Sequence, residues 1–367
     1  MAVAEVIAEA RRPAASLNPF RVRGTALPPN ALLAAKIVTV VFLVTGGWRL
    51  TSPFLPFVGF LGELASPRTT QDVAQAVWLI AAACLLLNRF VRPSCLVLGG
   101  TLLLAQLWSQ PYRTNNLTFT ALLLLMIGLS DRRTATTLIR AQFVVLYFWA
   151  GTNKLLDLHW RNGDFFESWV GIHAYAPAYR HLANLLPSMV LSTIASWAVI
   201  CTELFISVTF VFRRLVPVGI LLVIAYHSSL FLVTGTTFTM FWFSLTAACI
   251  VLIGWPAEPP VARYGGEGWT VRIARLLHRL DLGGAFAWER GSDSGVEYTN
   301  GEQRLSGREA LARLMLYNPT LLLVLYGLAA IQEPARRWAA LVALAADAYA
   351  AVVLVRSRLS PRERVPA

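Results

Sequence analysis

Long apolar segments recur from one end of this chain to the other, and they constrain its fold more than any other feature. A helix needs about 20 mostly apolar residues to cross a bilayer. Such segments lie at residues 31–51, 72–91, 93–110, 116–131, 137–155, 185–212, 214–235, 237–255, 317–333 and 337–356. Only 14% of the residues are charged, against about 25% in ordinary soluble domains. The pattern predicts an all-α polytopic membrane protein with about eight to ten transmembrane helices.

Arginine clusters between the apolar segments predict the orientation of the chain. They precede the first segment, follow the second, fourth, sixth and eighth, and close the C-terminus (Arg11, Arg12, Arg21, Arg23; Arg89, Arg92; Arg132, Arg133, Arg140; Arg213, Arg214; Arg263, Arg272, Arg275, Arg279; Arg356, Arg358, Arg362, Arg364). Because basic loops stay in the cytoplasm, we expect a multi-pass protein of the bacterial cytoplasmic (inner) membrane with both termini cytoplasmic. The pair Arg336–Arg337 is an exception to the alternation.

Polarity divides the chain into five parts. We expect a basic tail at 1–30, a transmembrane domain at 31–255, a small cytoplasmic α/β domain at 256–316, a transmembrane hairpin at 317–357 and a basic tail at 358–367. The cytoplasmic part should hold an extended segment at Pro259–Tyr264, an amphipathic helix at 270–281 and a second helix at 306–315.

Two kinds of partner are excluded by the residue pattern. No basic face is interleaved with aromatic residues, so we expect no nucleic acid. The cysteines all lie in apolar segments without metal-ligand spacing, so we expect no metal. Membrane lipids are the partners that the composition itself predicts.

Ionisable residues within the apolar segments are the first candidates for function, because a bilayer penalises them. Only two of the 32 basic residues are lysines, Lys36 and Lys154. Lysine can release its proton when desolvated and arginine cannot, so Lys154 at the outer end of the fifth segment is a candidate base. It could equally snorkel to the interface beside Asp157.

The topology groups three further polar residues with Lys154. His227, Asn115 and Asn116 all map to the outer half of the bilayer in this topology, where they could form a cluster that opens outward. His227 could instead hydrogen-bond a neighbouring helix, and the asparagines could be cap or loop residues. We expect Glu203, in the inner half of the sixth segment, to lie too deep for this cluster.

The stretch from Ala141 to Gly163, AQFVVLYFWAGTNKLLDLHWRNG, resembles the signature of the HTTM family, the membrane domain shared with vitamin K-dependent gamma-carboxylase. The matching positions are Ala150-Gly151, Lys154-Leu155, Trp160 and Gly163. The resemblance extends over residues 31–255 and includes Asn115-Asn116 and His227.

This resemblance implies a site on the outer face and a reduced quinone as cofactor or substrate. In the carboxylase a lysine deprotonates reduced vitamin K, and Lys154 matches that lysine. The implied site comprises catalytic Lys154 and His227 with substrate-binding Asn115, Asn116, Tyr147, Trp160 and Arg161. Leu117 replaces a histidine that assists carboxylation, and 367 residues leave no room for the large luminal domain that grips a peptide substrate. Both departures favour a quinone-handling protein over a protein carboxylase.

The cytoplasmic part resembles the start of a DCC-type thiol-disulfide oxidoreductase domain, which is thioredoxin-like. The resemblance rests on Pro260–Arg272, PVARYGGEGWTVR, and on the helix that follows it. Such domains carry Cys-x-x-Cys at the start of their first helix. Gly268 and Val271 occupy those positions here, so we expect a degenerate domain without thiol chemistry.

Two functions remain open at this point. The chain could be an enzyme that acts on a quinone-like or lipid-soluble substrate with Lys154 as base. It could also be a non-catalytic scaffold, maturation partner or immunity partner whose polar residues hold helices together. A transporter is disfavoured because the sequence shows neither inverted repeats nor paired broken helices.

Overall fold

The computed structural model describes residues 17–49, 67–108, 114–131, 134–173, 177–234, 239–291 and 295–331. Over these residues the chain is mostly helical, with one small four-stranded mixed sheet. Arg11 and Arg12, the tenth apolar segment with the Arg336–Arg337 pair, and the basic tail at 358–367 lie outside the described residues.

The described chain falls into two compact units. One runs to Thr136 and resumes at Ala247, and the other comprises Thr137–Thr246. Their boundaries lie within the helices α5 and α11 defined below. The expected single transmembrane domain at 31–255 stays a prediction.

Among the described residues, four α-helices lie wholly before the first boundary. They are α1 (Pro29–Thr45), α2 (Pro67–Leu86), α3 (Val91–Trp108) and α4 (Asn115–Leu129). Proline suits the first turn of α1 because its missing N–H would be unsatisfied there in any case. Thr114 caps α4 by accepting a hydrogen bond from the Leu117 N–H, and Gly46 ends α1 in the left-handed conformation.

The second unit is built around three long helices with short helical pieces between the first two. In chain order they are α5 (Thr134–Leu156), α6 (Leu158–Arg161), α7 (Asp164–Phe166), a π-helical segment (Glu167–His173), α8 (Pro177–Ala183), α9 (Val190–Val211) and α10 (Val216–Thr234). The helix α11 (Thr239–Leu252) leads back into the first unit.

A small mixed sheet follows α11. Its elements are β1 (Val261–Gly265), α12 (Trp269–Leu280), β2 (Ala287–Arg290), β3 (Gly295–Asn300), β4 (Gln303–Ser306) and α13 (Gly307–Leu316), after which α14 (Pro319–Ala330) begins. The strand order is β2-β1-β3-β4, with β1 parallel to β2 and antiparallel to β3. Ala262 pairs with Trp288 on one side and Tyr298 on the other. α12 and α13 pack on this sheet through buried Val271 and Leu314.

Few of the described helices are both long enough and apolar enough to cross a bilayer unaided. Within the described ranges two qualify by length and composition, Arg68–Leu86 and Val190–Val211, and a third would if α13 and α14, which meet at 67°, formed one bent span. Other apolar helices are shorter, such as α4 with 15 residues. At about 1.5 Å per residue such a helix falls short of the roughly 30 Å hydrocarbon core. The count of eight to ten spans therefore stays a prediction, while the apolar helices themselves indicate a membrane protein.

Glycines allow α3 and α4 to approach closely. A Cβ added at Gly99 would lie 2.6 Å from the Ala121 carbonyl oxygen, and one at Gly128 would lie 2.9 Å from Leu96 Cγ. Small residues at helix contacts let backbones meet in this way, and van der Waals packing then holds membrane helices together.

Adjacent glycines in α3 provide a matched test of this contact. We expect Gly99→Ala to lower stability by about 1–3 kcal/mol, because the new methyl group meets backbone that cannot move aside. Gly100→Ala should be neutral or stabilising, since a Cβ there meets nothing within 4 Å and alanine favours helix. Thermal unfolding of both variants in detergent measures the difference. Equal melting temperatures would contradict the packing.

Candidate functional site

The helices α5 and α9 run antiparallel and approach closely at Gly151. A Cβ at Gly151 would lie 2.8 Å from Leu204 Cγ and 3.2 Å from the Leu204 nitrogen. One end of the contact is fixed by Ser207, whose Oγ donates a hydrogen bond of 3.1 Å to the Val144 carbonyl. Glycine at 151 is therefore a packing requirement, because any side chain would push the two helices apart.

The chain continues beside α9 after α5 ends. Trp197 Nε1 donates to the Arg161 carbonyl at 3.1 Å, and Thr193 Oγ1 donates to the Asn162 carbonyl at 2.9 Å. Gly163 begins α7 with φ +87°, and a Cβ there would lie 2.6 Å from the Thr193 nitrogen. Residues 144–163 thus follow α9 from near its C-terminal end, at Ser207, back to its first turn.

Lys154 forms an ion pair with Glu203 across this contact. The Lys154 Nζ donates to Glu203 Oε1 at 2.8 Å and to Oε2 at 2.6 Å. The Lys154 side chain is 19% exposed and the Glu203 side chain 8% exposed. Tyr226 of α10 donates a further hydrogen bond to Glu203 Oε1 at 3.1 Å. Three helices therefore meet at one carboxylate.

This pairing corrects two expectations. Glu203 does not lie too deep to reach Lys154, because α6 extends along α9 beyond the end of α5 and places Lys154 opposite the middle of α9. Asp157 is not the partner of Lys154 in the structure. It caps α6 instead, with its Oδ1 accepting from the His159 N–H at 2.9 Å.

An aromatic pair flanks the Lys154 amine. The Nζ lies 5.0 Å from the centroid of the Trp160 ring, within the range of a cation–π contact. Trp160 stacks in turn on Phe165, with ring centroids 4.5 Å apart. The sequence prediction that Trp160 belongs with Lys154 therefore agrees with their contact, while its substrate-binding role stays a prediction.

A second polar pair links Tyr147 and His227. The Tyr147 hydroxyl lies 2.7 Å from His227 Nε2, and His227 is 4% exposed. Phe241 meets the imidazole edge-on, with centroids 5.3 Å apart. In the part of the chain that the structure describes, the buried His227 Nδ1 has no hydrogen-bond partner. Such an unsatisfied buried atom carries a free-energy penalty that a ligand could relieve.

The two pairs are neighbours along their helices. Tyr226 and His227 are consecutive in α10, and Tyr147 and Lys154 are two turns apart on one face of α5. The side chains thus form a polar network defined here as Tyr147, Lys154, Glu203, Tyr226 and His227. Glu203 and Tyr226 are the members that sequence reasoning missed, and a carboxylate inside an apolar segment was the available signal for Glu203.

The remaining predicted residues have more ordinary surroundings. The Arg161 side chain is exposed, and only its carbonyl takes part in the α9 contact. Asn115 and Asn116 begin α4 in the other unit, where Asn115 is exposed and the Asn116 carbonyl accepts from Thr120 Oγ1 at 2.8 Å. Their expected grouping with Lys154 stays a prediction.

The second lysine of the chain, Lys36, is held by backbone. It is fully buried in α1, and its Nζ donates to the Pro19 carbonyl at 2.6 Å and to the Arg21 carbonyl at 3.0 Å. These bonds tie the segment that precedes α1 to the helix. A rare lysine can therefore serve packing alone, so the chemistry of Lys154 must be argued from its own contacts.

Another buried contact orders the segment between α7 and α9. The Tyr179 hydroxyl donates to Glu167 Oε2, and Tyr179 packs with Val170, Phe166 and Trp169. Burial, followed by the hydrogen bond to Glu167, raises the pKa of Tyr179 to about 12. Tyr179 therefore stays a neutral donor at physiological pH, and the contact is structural.

Comparison with known proteins identifies one region. Residues 132–255 match the family model of the HTTM domain. No curated protein and no solved structure matches the chain significantly. The matched region contains the whole polar network, whereas Asn115 and Asn116 precede it.

The ion pair makes a testable contribution to stability. Glu203→Leu should destabilise the protein by several kcal/mol, up to about 3–5, because it leaves a half-buried ammonium without its counterion. The double variant Lys154→Met with Glu203→Leu should recover much of that loss, since two apolar side chains replace the pair. Thermal unfolding in detergent measures both.

Asp157→Asn serves as the control for this experiment. Asparagine caps a helix as well as aspartate does, so this variant should unfold close to the wild type. Strong destabilisation by Asp157→Asn, together with a silent Glu203→Leu, would assign the lysine to the other carboxylate and contradict the pairing.

Proposed function

We propose that the chain is an integral membrane protein of the HTTM family in which Lys154 acts as a base toward a quinone-like or other lipid-soluble substrate. One observation carries the proposal: the Lys154 amine, still partly accessible at 19%, is bonded at 2.6 Å to a carboxylate that can take up its proton. The match of residues 132–255 to the HTTM domain supports the assignment. The inner-membrane location and cytoplasmic termini belong to the same proposal.

Glu203 gives the proposed base a route to its neutral form. An ammonium has three donors and no acceptor, so Lys154 can accept a proton only after it has released one. Transfer of that proton to Glu203 leaves a neutral amine. The amine then takes the hydroxyl proton of a reduced quinone, which becomes an anion, and the ammonium forms again. Lys154 is the catalytic residue in this scheme. Glu203 accepts its proton and ends the step as a neutral carboxylic acid, and Tyr226 positions Glu203 through its hydrogen bond.

The surroundings of Lys154 suit a flat aromatic substrate. The stacked rings of Trp160 and Phe165 beside the amine offer a surface on which another ring can lie. We propose that His227 binds a substrate oxygen through Nδ1, with Tyr147 holding its other nitrogen. Arg161 remains a proposed substrate contact.

Protein carboxylation is not part of this proposal. Leu117 stands where the resemblance places a histidine that assists carboxylation, and its side chain has no polar group. The bound quinone would supply the acidic hydroxyl, and the proposed reaction is the transfer of that proton to Lys154.

A structural role is the second candidate, and the same ion pair favours it. Both oxygens of Glu203 are engaged by Lys154, so the pair joins α5 to α9 directly. A non-catalytic scaffold, maturation partner or immunity partner would need nothing more from these residues. Substitution of Lys154 separates the two functions, as described below.

We also propose that the segment around the sheet is a degenerate DCC-like domain. The helix α12 begins at Trp269, with Gly268 as its cap residue and Val271 buried at 2% exposure in its first turn. A helix N-terminus is where a reactive cysteine thiolate is stabilised, and glycine and valine can form no thiolate. The segment would then serve binding or assembly.

Lys154→Arg tests the catalytic role. Arginine keeps the charge and can pair bidentately with Glu203, but it cannot give up its proton. We expect the anion of reduced menadione, detected by its absorbance under anaerobic conditions when the purified protein binds reduced menadione, to form at least about 100-fold more slowly, because that factor is the usual contribution of a general base. The melting temperature in detergent should stay close to that of the wild type.

Arg213→Lys is the matched control, since it makes the reverse exchange at an exposed position beyond the end of α9. Its rate of anion formation should equal that of the wild type. A well-folded Lys154→Arg variant that forms the anion at the wild-type rate would leave only the structural role.

A further inference from the structure

A concavity lined by basic residues lies at the carboxyl ends of the parallel strands β1 and β2. Tyr264, Gly265 and Gly266 line it where β1 ends, and Arg290 and Gly291 line it where β2 ends. Its volume is about 630 Å³, within the range of small-molecule sites. In open α/β sheets ligands bind outside the carboxyl ends of the strands. We call it the basic concavity.

The flank of α12 completes the basic concavity. Arg275, His278 and Arg279 line it, and residues three and four apart share one face of a helix. Ala274 and Leu277 are buried and turn the opposite face toward the sheet. The amphipathic pattern of α12 therefore directs its cations toward the end of the strands.

The three arginines have no counterion within the described chain. The side chains of Arg275, Arg279 and Arg290 form no hydrogen bond or ion pair there. The neighbouring Arg263 does, pairing with Glu289 at 2.6 Å. No described residue that lines the basic concavity is acidic. Like charges gathered in this way repel one another, and a bound anion would relieve that repulsion.

One wall of the basic concavity is ordered by aromatic contacts. His278 stacks on Trp288 with ring centroids 4.7 Å apart and planes 11° apart. The Tyr264 hydroxyl lies 2.9 Å from His278 Nδ1. The elements that carry the arginines are thus joined by side chains, so the cations converge on a defined space.

We propose that the basic concavity binds a phosphate-bearing anion through Arg275, Arg279 and Arg290. The planar fork of a guanidinium matches phosphate oxygens two at a time, and arginine is the preferred residue for this recognition. The anion is either the headgroup of an anionic phospholipid or a soluble phosphorylated compound. A lipid headgroup is a candidate because the helix α12 adjoins the apolar helix α14. Asn318, at the start of α14, donates a hydrogen bond to the Leu277 carbonyl of α12 at 3.3 Å.

The experiment uses the full-length protein and two probes. Inorganic pyrophosphate is titrated by calorimetry into protein in neutral detergent. Separately, native mass spectrometry counts phosphatidylglycerol molecules retained from nanodiscs of phosphatidylcholine and phosphatidylglycerol. Arg275→Gln, Arg279→Gln and Arg290→Gln should each weaken binding by about tenfold, as expected for loss of a charge-assisted bidentate contact. Arg304→Gln on β4, at the opposite edge of the sheet, should change binding less than about twofold because it removes only a distant, screened charge.

Every outcome decides the proposal. Pyrophosphate binding that the three variants weaken identifies a soluble phosphorylated ligand. If pyrophosphate does not bind and the same variants retain less phosphatidylglycerol, the ligand is a lipid headgroup. The proposal is overturned if neither probe binds, if the three variants bind as tightly as the wild type, or if Arg304→Gln binds as weakly as they do. We expect the glutamine variants to fold, because exposed arginines without partners tolerate substitution. If one fails to fold, the corresponding Arg→Lys variant replaces it, since lysine keeps the charge and lacks the bidentate guanidinium.

Discussion

The close approach of α5 and α9 is the constraint on which the candidate site depends. Glycine at 151 leaves the backbone of Leu204 within reach, and one turn later Lys154 meets Glu203. Removing two charges from water is costly unless their geometry is good and their other bonding groups are satisfied. Here both carboxylate oxygens take a bond from the ammonium and Tyr226 supplies another. The close packing of α5 against α9 is therefore what allows this ion pair to form.

This constraint gives a physical meaning to the motif Ala-Gly-x-x-Lys with its later tryptophan and glycine. Gly151 and Gly163 both permit contact with α9, at its middle and at its first turn. Lys154 pairs with that helix, and Trp160 covers the amine. Gly151, Lys154 and Gly163 thus serve one antiparallel contact, and Trp160 lies against the lysine that forms it.

Sequence reasoning found the residues of the site better than it found their partners. Lys154 and His227 were evident because ionisable side chains are rare in apolar segments. The partnership of Glu203 was missed because depth was counted from predicted span ends, and no sequence rule indicated that α6 would continue along α9. The basic concavity was hidden for a related reason: Arg290 joins Arg275 only when β2 lies beside β1. A local sequence pattern predicts helices and strands, but it does not predict which residues of distant helices or strands come together in a site.

The central claim is that the Lys154–Glu203 pair exchanges a proton as substrate binds. Difference infrared spectroscopy of the purified protein, recorded on addition of reduced menadione, observes the carboxyl group directly. We expect the ionised carboxylate band of Glu203 to be lost and a protonated carboxyl band to appear. Both changes should be absent from Glu203→Gln. Carboxylate bands that stay unchanged in protein with bound reduced menadione would contradict it, and would leave the pair as a structural link between α5 and α9.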